Sequence, residues 1–153
     1  MDQPVSTLLD KRPGDIHTVD VGASAADAVR TMNQAHVGCV AVMDNGRLAG
    51  IFTERDVLRR VVESHRDPSQ TPVADVMTSD VVVISPSDTL QHAMVLVNTR
   101  NCRHLPVMDG DTLVGMVSVR DLIGAVVDGQ EHRIAELTDY IYGGYGLQAR
   151  VDA

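Results

Sequence analysis

Short apolar runs alternate with stretches of helical period along this chain, and their order is regular. Ile16-His-Thr-Val-Asp20 reads as a short strand. Ser24-Ala-Ala-Asp27 has the form of a capping box with Asp in place of Glu. Ala28, Val29 and Met32 then recur at helical spacing as one apolar face. Cys39-Val-Ala-Val-Met43 predicts a second strand, Asp44-Asn-Gly46 a tight hairpin turn, and Leu48-Ala-Gly-Ile-Phe52 the returning strand. A second helix starts after Thr53 and runs through Asp56-Val-Leu to Val61-Val62. The unit is β-α-β-β-α.

The same order returns farther along the chain. Slid along itself so that Gly50 falls on Gly115, the sequence aligns without a gap. Asp10/Asp75, Asp15/Asp80, Ala28/Ala93, Val42/Val107, Asp44/Asp109, Arg55/Arg120 and Asp56/Asp121 are then identical pairs. In the second copy Val81-Val-Val-Ile-Ser85 is the expected first strand. Ser87-Asp-Thr-Leu-Gln opens the helix whose face is Ala93, Met94 and Val97. Leu105-Pro-Val-Met108, Asp109-Gly-Asp111 and Leu113-Val-Gly-Met-Val117 form the expected hairpin, and the second helix follows Ser118. Internal duplication on this scale decides architecture before propensity does. It implies two half-size units sharing one body about a pseudo-twofold axis, with a pair of equivalent clefts. The polar, proline-marked stretch 64–72 is the linker. Beyond it, Glu131 to Tyr142 predicts a short separate helix with Ile134, Leu137 and Ile141 on one side. Gly143-Gly-Tyr-Gly146 would end that helix and leave a loose tail.

Bulk properties narrow the function. The 153 residues amount to one compact domain, and 44% hydrophobic with 22% charged residues is ordinary for a globular protein. No apolar run reaches the roughly 20 residues of a membrane span, and no secretory signal is visible, so a cytoplasmic address without a membrane partner is expected. A net charge of −8 argues against nucleic acid as the main partner. Cys39 and Cys102 read as reduced core thiols, and the histidines show no ligand spacing, so no metal is expected. Tyr140, Tyr142 and Tyr145 all lie in the tail and suit packing there, and the only other aromatic is Phe52. A planar ligand in the body must therefore be gripped by aliphatic side chains and backbone.

Candidate chemistry concentrates at the junction of the last strand and the last helix in each copy. It reads Gly50-Ile-Phe-Thr-Glu-Arg-Asp56 and Gly115-Met-Val-Ser-Val-Arg-Asp121. A strand glycine allows close approach to the backbone. A helix N-terminus presents N–H groups suited to an anion. The carboxylate can accept both hydroxyls of a ribose, while the hydroxyl and the arginine can reach phosphate. Thr53-x-x-Asp56 and Ser118-x-x-Asp121 are equally what a capping box looks like, though a cap does not require the arginine. Both readings stand on the residues alone. Nothing pairs a nucleophile with a base, and no P-loop or dinucleotide fingerprint occurs, so an enzyme is not expected.

These residues resemble the CBS domain, named after cystathionine β-synthase, in two tandem copies at about 5–64 and 70–129, with 130–153 as a C-terminal helix and tail. The resemblance implies an α/β (α+β-like) fold in which two pseudo-twofold-related β-α-β-β-α units pack through their small sheets. It also implies a regulatory module, without catalysis, that binds an adenosine ligand such as AMP, ADP, ATP, NAD or S-adenosylmethionine. A homodimer and an unknown regulated protein partner are implied too. One cleft would use Ser118, Arg120 and Asp121 with the edge Ile16, His17 and Thr18, lined by Arg103, His104, Pro106 and Met116. The other would use Ile51, Thr53, Arg55 and Asp56 with Val81, Val82 and Val83. Gly38 and Cys39 stand where the first cleft has Arg103 and His104, so the Ser118–Asp121 cleft is expected to hold phosphate more tightly. The alternative is a ligand-independent interaction scaffold in which both junctions are merely caps.

Overall fold

The computed structural model describes residues 2–12 and 16–143, with side chains through residue 139. The first unit contains β1 (Thr18–Asp20), α2 (Ala25–Ala35), β2 (Cys39–Asp44), β3 (Arg47–Thr53) and α3 (Glu54–Asp56), which continues as a π-helical stretch, Val57–Val62. The second contains α5 (Leu90–Thr99), β4 (His104–Asp109), β5 (Thr112–Ser118) and α6 (Val119–Gly143). Two short helices lead into the units, α1 (Ser6–Lys11) before the first and α4 (Val73–Val76) before the second. No described helix is long and apolar enough to cross a membrane.

Local chemistry starts and stops these elements. Ser24 accepts the Asp27 N–H at 3.1 Å and Asp27 accepts the Ser24 N–H, so α2 opens on a complete capping box. Asn45 and Gly46 both take positive φ between β2 and β3, the backbone a two-residue hairpin of this twist requires. In the second unit α5 is capped by Thr89, which accepts the His92 N–H at 3.1 Å, rather than opening at Ser87.

β1 pairs in parallel with β2, and β2 in antiparallel with β3; β4 and β5 form the second hairpin with the matching register, Val42 opposite Gly50 and Val107 opposite Gly115. The strand expected at Val81–Ser85 is reduced to one parallel bridge between Ile84 and Val107. The cause is covalent. Ala41 donates its N–H to His17 O at 3.0 Å, but the equivalent residue in β4 is Pro106, which has no N–H to offer. The ladder starts one bond later, with Ile84 N–H donating to Pro106 O and Met108 N–H to Ile84 O.

Each lead-in helix packs on the unit it does not precede. Val5 is buried in the second core with Ile84, Leu90, Ala93, Leu105, Val107, Val117 and Leu122, and Leu8 and Leu9 rest against it. Val73 and Val76 are buried in the first core beside Ala28, Met32, Val40, Val42 and Phe52. Backbone bonds seal both docks in the same way. Val5 N–H donates to Asp88 O and Leu90 N–H to Gln3 O; Val73 N–H donates to Ala23 O and Ala25 N–H to Thr71 O. These contacts match Pro4-Val5 with Pro72-Val73, three residues out of step with the alignment that superposes Gly50 on Gly115. The identity of Asp10 and Asp75 is thus not a structural equivalence; Asp10 corresponds to Thr78.

The C-terminal helix also differs from expectation. α6 runs unbroken through Gly124 and Gly129, instead of ending near Val127 and restarting at Glu131. No proline interrupts it, and a helical glycine costs only about 1 kcal/mol relative to alanine. Gly143 is the last described residue of α6; Gly144 to Gly146, the expected loose tail and the side chains of Tyr140 and Tyr142 lie outside the described residues.

Candidate functional site

Both strand–helix junctions are capping boxes. Thr53 N–H donates to Asp56 Oδ2 at 3.0 Å and Asp56 N–H returns to Thr53 Oγ1 at 3.2 Å. Ser118 N–H donates to Asp121 Oδ2 at 2.8 Å and Asp121 N–H to Ser118 Oγ at 3.2 Å. In each box the cap engages Oδ2, so Oδ1 decides what more the carboxylate can do.

At Asp56 that oxygen is taken from within the protein. The Thr78 hydroxyl donates to Oδ1 at 3.0 Å, and Arg60 Nε lies 3.7 Å from the same atom. The Asp56 side chain is 8% exposed. Thr78 is fastened there by its backbone, which exchanges two hydrogen bonds with Ile51. The glycine of this junction serves that contact: a Cβ on Gly50 would stand 2.5 Å from Thr78 O and 2.9 Å from Met77 Sδ. A Cβ on Gly115 would stand 2.5 Å from Leu9 Cδ2. In both units the neighbour that needs the glycine is a residue at the C-terminal end of the exchanged lead-in.

At Asp121 the second oxygen meets, among the described residues, only Arg12, whose Nη1 donates at 3.1 Å from a side chain 70% exposed. The carboxylate keeps 25% exposure and opens on a cleft of about 1260 Å³. Of the residues singled out from sequence, this cleft gathers Ile16, His17, Arg103, His104, Met116, Ser118, Arg120 and Asp121. Thr18, at the start of β1, is exposed, and Pro106 is buried in β4, so neither lines it.

The residues assigned to the other cleft do not join this one. Ile51 is buried against Thr78, Thr53 and Asp56 are engaged as above, and Arg55 donates to Asn101 O at 3.2 Å. Val82 packs on the second core, Val81 is half-buried and Val83 is exposed.

The cleft has members that pattern reading missed: Leu9 from α1, Arg12 just after it, and Glu54 from the first unit; Gly38 and Cys39, expected in the other cleft, line this one. Gly38 leaves room for Glu54, whose Cδ would lie 3.2 Å from a Cβ placed there. Burial depresses the His104 pKa; the carboxylates of Glu54 and Asp121 oppose the shift and Arg103 adds to it. The imidazole is accordingly neutral near pH 7, able to accept or donate one hydrogen bond. Burial, reinforced by Asp56, pushes the Cys39 thiol up to about 12, which leaves it protonated and inert. Among the described residues no group of His, Cys, Asp or Glu is arranged to hold a metal ion.

Two duplicated units, β-α-β-β-α and its copy with the first strand reduced to a bridge, with exchanged lead-in helices and capped junctions define a tandem two-unit architecture. The CBS domain family matches residues 5–63 and 73–128, and the chain belongs to that family. Among relatives, the mitochondrial CBS domain-containing protein CBSX3 of Arabidopsis thaliana is 38% identical over 124 residues, covering 78% of this chain and 60% of that one. The chain thus spans about three fifths of that relative's length. A CBS-domain structure from Burkholderia ambifaria MC40-6 is 35% identical, with TM-score 0.80, covering 84% of this chain and 96% of the other. The fold is also that of the CBS domain protein PAE2072 from Pyrobaculum aerophilum, solved in complex with AMP (22% identity, TM-score 0.70, covering 78% of this chain and 89% of that one).

Proposed function

We propose that this chain is a regulatory module, without catalysis of its own, that binds one adenine nucleotide in the cleft at Ser118 and Asp121. The observation that carries the reading is the unequal fate of the two junction carboxylates. Asp56 is buried and bonded to Thr78, whereas Asp121 keeps Oδ1 at the cleft surface, held among the described residues only by an exposed arginine. A ribose diol can displace that arginine at small cost, since exposed ion pairs contribute only about 0–1 kcal/mol. Arg12, Arg103 and Arg120 then supply cations for phosphate, and His104 supplies a neutral donor or acceptor. AMP bound by a protein of the same fold supports this ligand class, and AMP, ADP, ATP and NAD all carry the required groups. Glu54 and Asp121 add negative charge to the same cleft, which favours few phosphates over many.

Titration calorimetry with AMP tests the assignment. One site per chain is expected, abolished by Asp121→Ala and retained in Asp56→Ala once folding is verified. Loss of binding in the Asp56 variant, with none in the Asp121 variant, would overturn it. Ligand at 100 times its dissociation constant should raise stability by ~2.7 kcal/mol. An absence of any shift with AMP, ATP or NAD would favour a ligand-independent scaffold.

A further inference from the structure

We propose that Glu54 is the specificity-determining residue of the cleft: it admits a nucleoside monophosphate and repels a β-phosphate. The inference rests on the adenine-nucleotide reading above. Two equivalent pairs of positions with opposite charge meet in this cleft. The Glu54 N–H donates to Gly38 O at 3.0 Å, and in the other unit the Val119 N–H donates to Arg103 O at 2.9 Å. Gly38 therefore corresponds to Arg103 and Glu54 to Val119, and all four line the cleft. One unit presents a carboxylate and a bare glycine where the other presents an aliphatic chain and a guanidinium.

The glycine belongs with the carboxylate. A Cβ at residue 38 would stand 3.2 Å from Glu54 Cδ and 3.3 Å from each of its carboxylate oxygens. Glu54 is exposed, and among the described residues no cation lies within ion-pairing distance of it. Its place along the ligand follows from the strands. His104 stands opposite Ser118 in the β4–β5 pair, and Ser118 caps back to Asp121. The charges of Glu54 and Asp121 both act on the His104 imidazole, which puts it within reach of each carboxylate. A ribose held by Asp121 leaves its 5′-phosphate to Ser118, His104 and Arg103, and a further phosphate then extends toward Glu54. Like charges in a partly enclosed cleft repel more strongly than in bulk water. Asp121 cannot supply this discrimination, because the ribose it meets is common to AMP, ADP and ATP.

Titration calorimetry of the full chain with AMP, ADP and ATP, in chelator to exclude divalent cations, tests the assignment. Affinity is expected to fall in that order. Glu54→Gln keeps the side chain's shape and should tighten ATP relative to AMP by about tenfold or more. Asp139→Asn removes the same unit of charge about 27 Å beyond Asp121 along α6 and should leave the ratio unchanged, which separates a local repulsion from the net charge. AMP bound by the natural chain, with the AMP-to-ATP ratio unmoved in Glu54→Gln or moved equally in Asp139→Asn, would overturn this inference alone. ATP bound by the natural chain as tightly as AMP would do the same. No binding of AMP at all would overturn the reading of the cleft as well.

Discussion

The Thr78 hydroxyl donates to Asp56 Oδ1 at 3.0 Å, joining the second unit's lead-in to the first unit's last helix. Asp121, the counterpart of Asp56, has in that place an arginine from the other lead-in. One family of contacts therefore closes one junction and leaves the other open.

Thr78→Val removes the hydroxyl and keeps the shape, leaving a buried carboxylate short of a donor. Hydrogen bonds to charged groups contribute ~1.5–3 kcal/mol, so a loss of that order is expected. Urea unfolding followed by circular dichroism measures it. Affinity for AMP at the Asp121 cleft should stay unchanged in the same variant.

The two junction glycines should differ in tolerance. An added methyl on Gly50 meets a backbone oxygen at 2.5 Å that is locked in a two-bond bridge, whereas on Gly115 it meets the end of the Leu9 side chain, which can change rotamer. Gly50→Ala is expected to cost in the upper part of the ~1–3 kcal/mol range for overpacking, and Gly115→Ala in the lower part. Thermal melts of the two variants give the ordering directly.

The depressed pKa of His104 has a definite sign in stability. The folded protein favours the neutral imidazole, so between the depressed value and the usual 6.5 the unfolded chain binds more protons. His104 therefore destabilises the fold as pH falls through that window, and His104→Gln should flatten the decline. Phosphate bound nearby would favour the imidazolium instead. AMP binding near pH 6 is then expected to take up protons, visible as calorimetric heats that depend on buffer ionisation enthalpy.

Pattern reading reached far where contacts are local. The Ser24–Asp27 and Thr53–Asp56 boxes join residues three apart, and the Asn45-Gly46 turn follows from two residues. The reduced strand before Ser85 was legible in principle, since Pro106 replaces Ala41, but only once the bond to His17 O was known. Pro4-Val5 and Pro72-Val73 were equally visible, and a gapless alignment concealed them.

By itself the sequence determined the duplication, the helix–hairpin–helix order within each unit and the residues of the two junctions, because helical period and turn chemistry act over a few residues. Tertiary structure alone decided that each lead-in crosses to the other unit, that Thr78 meets Asp56 and that Arg12 meets Asp121. The last two contacts span 22 and 109 residues, and no periodicity links such partners. They follow from burying Val5 and Val73 in opposite cores, which carries the residues at the end of each lead-in to the other unit's carboxylate.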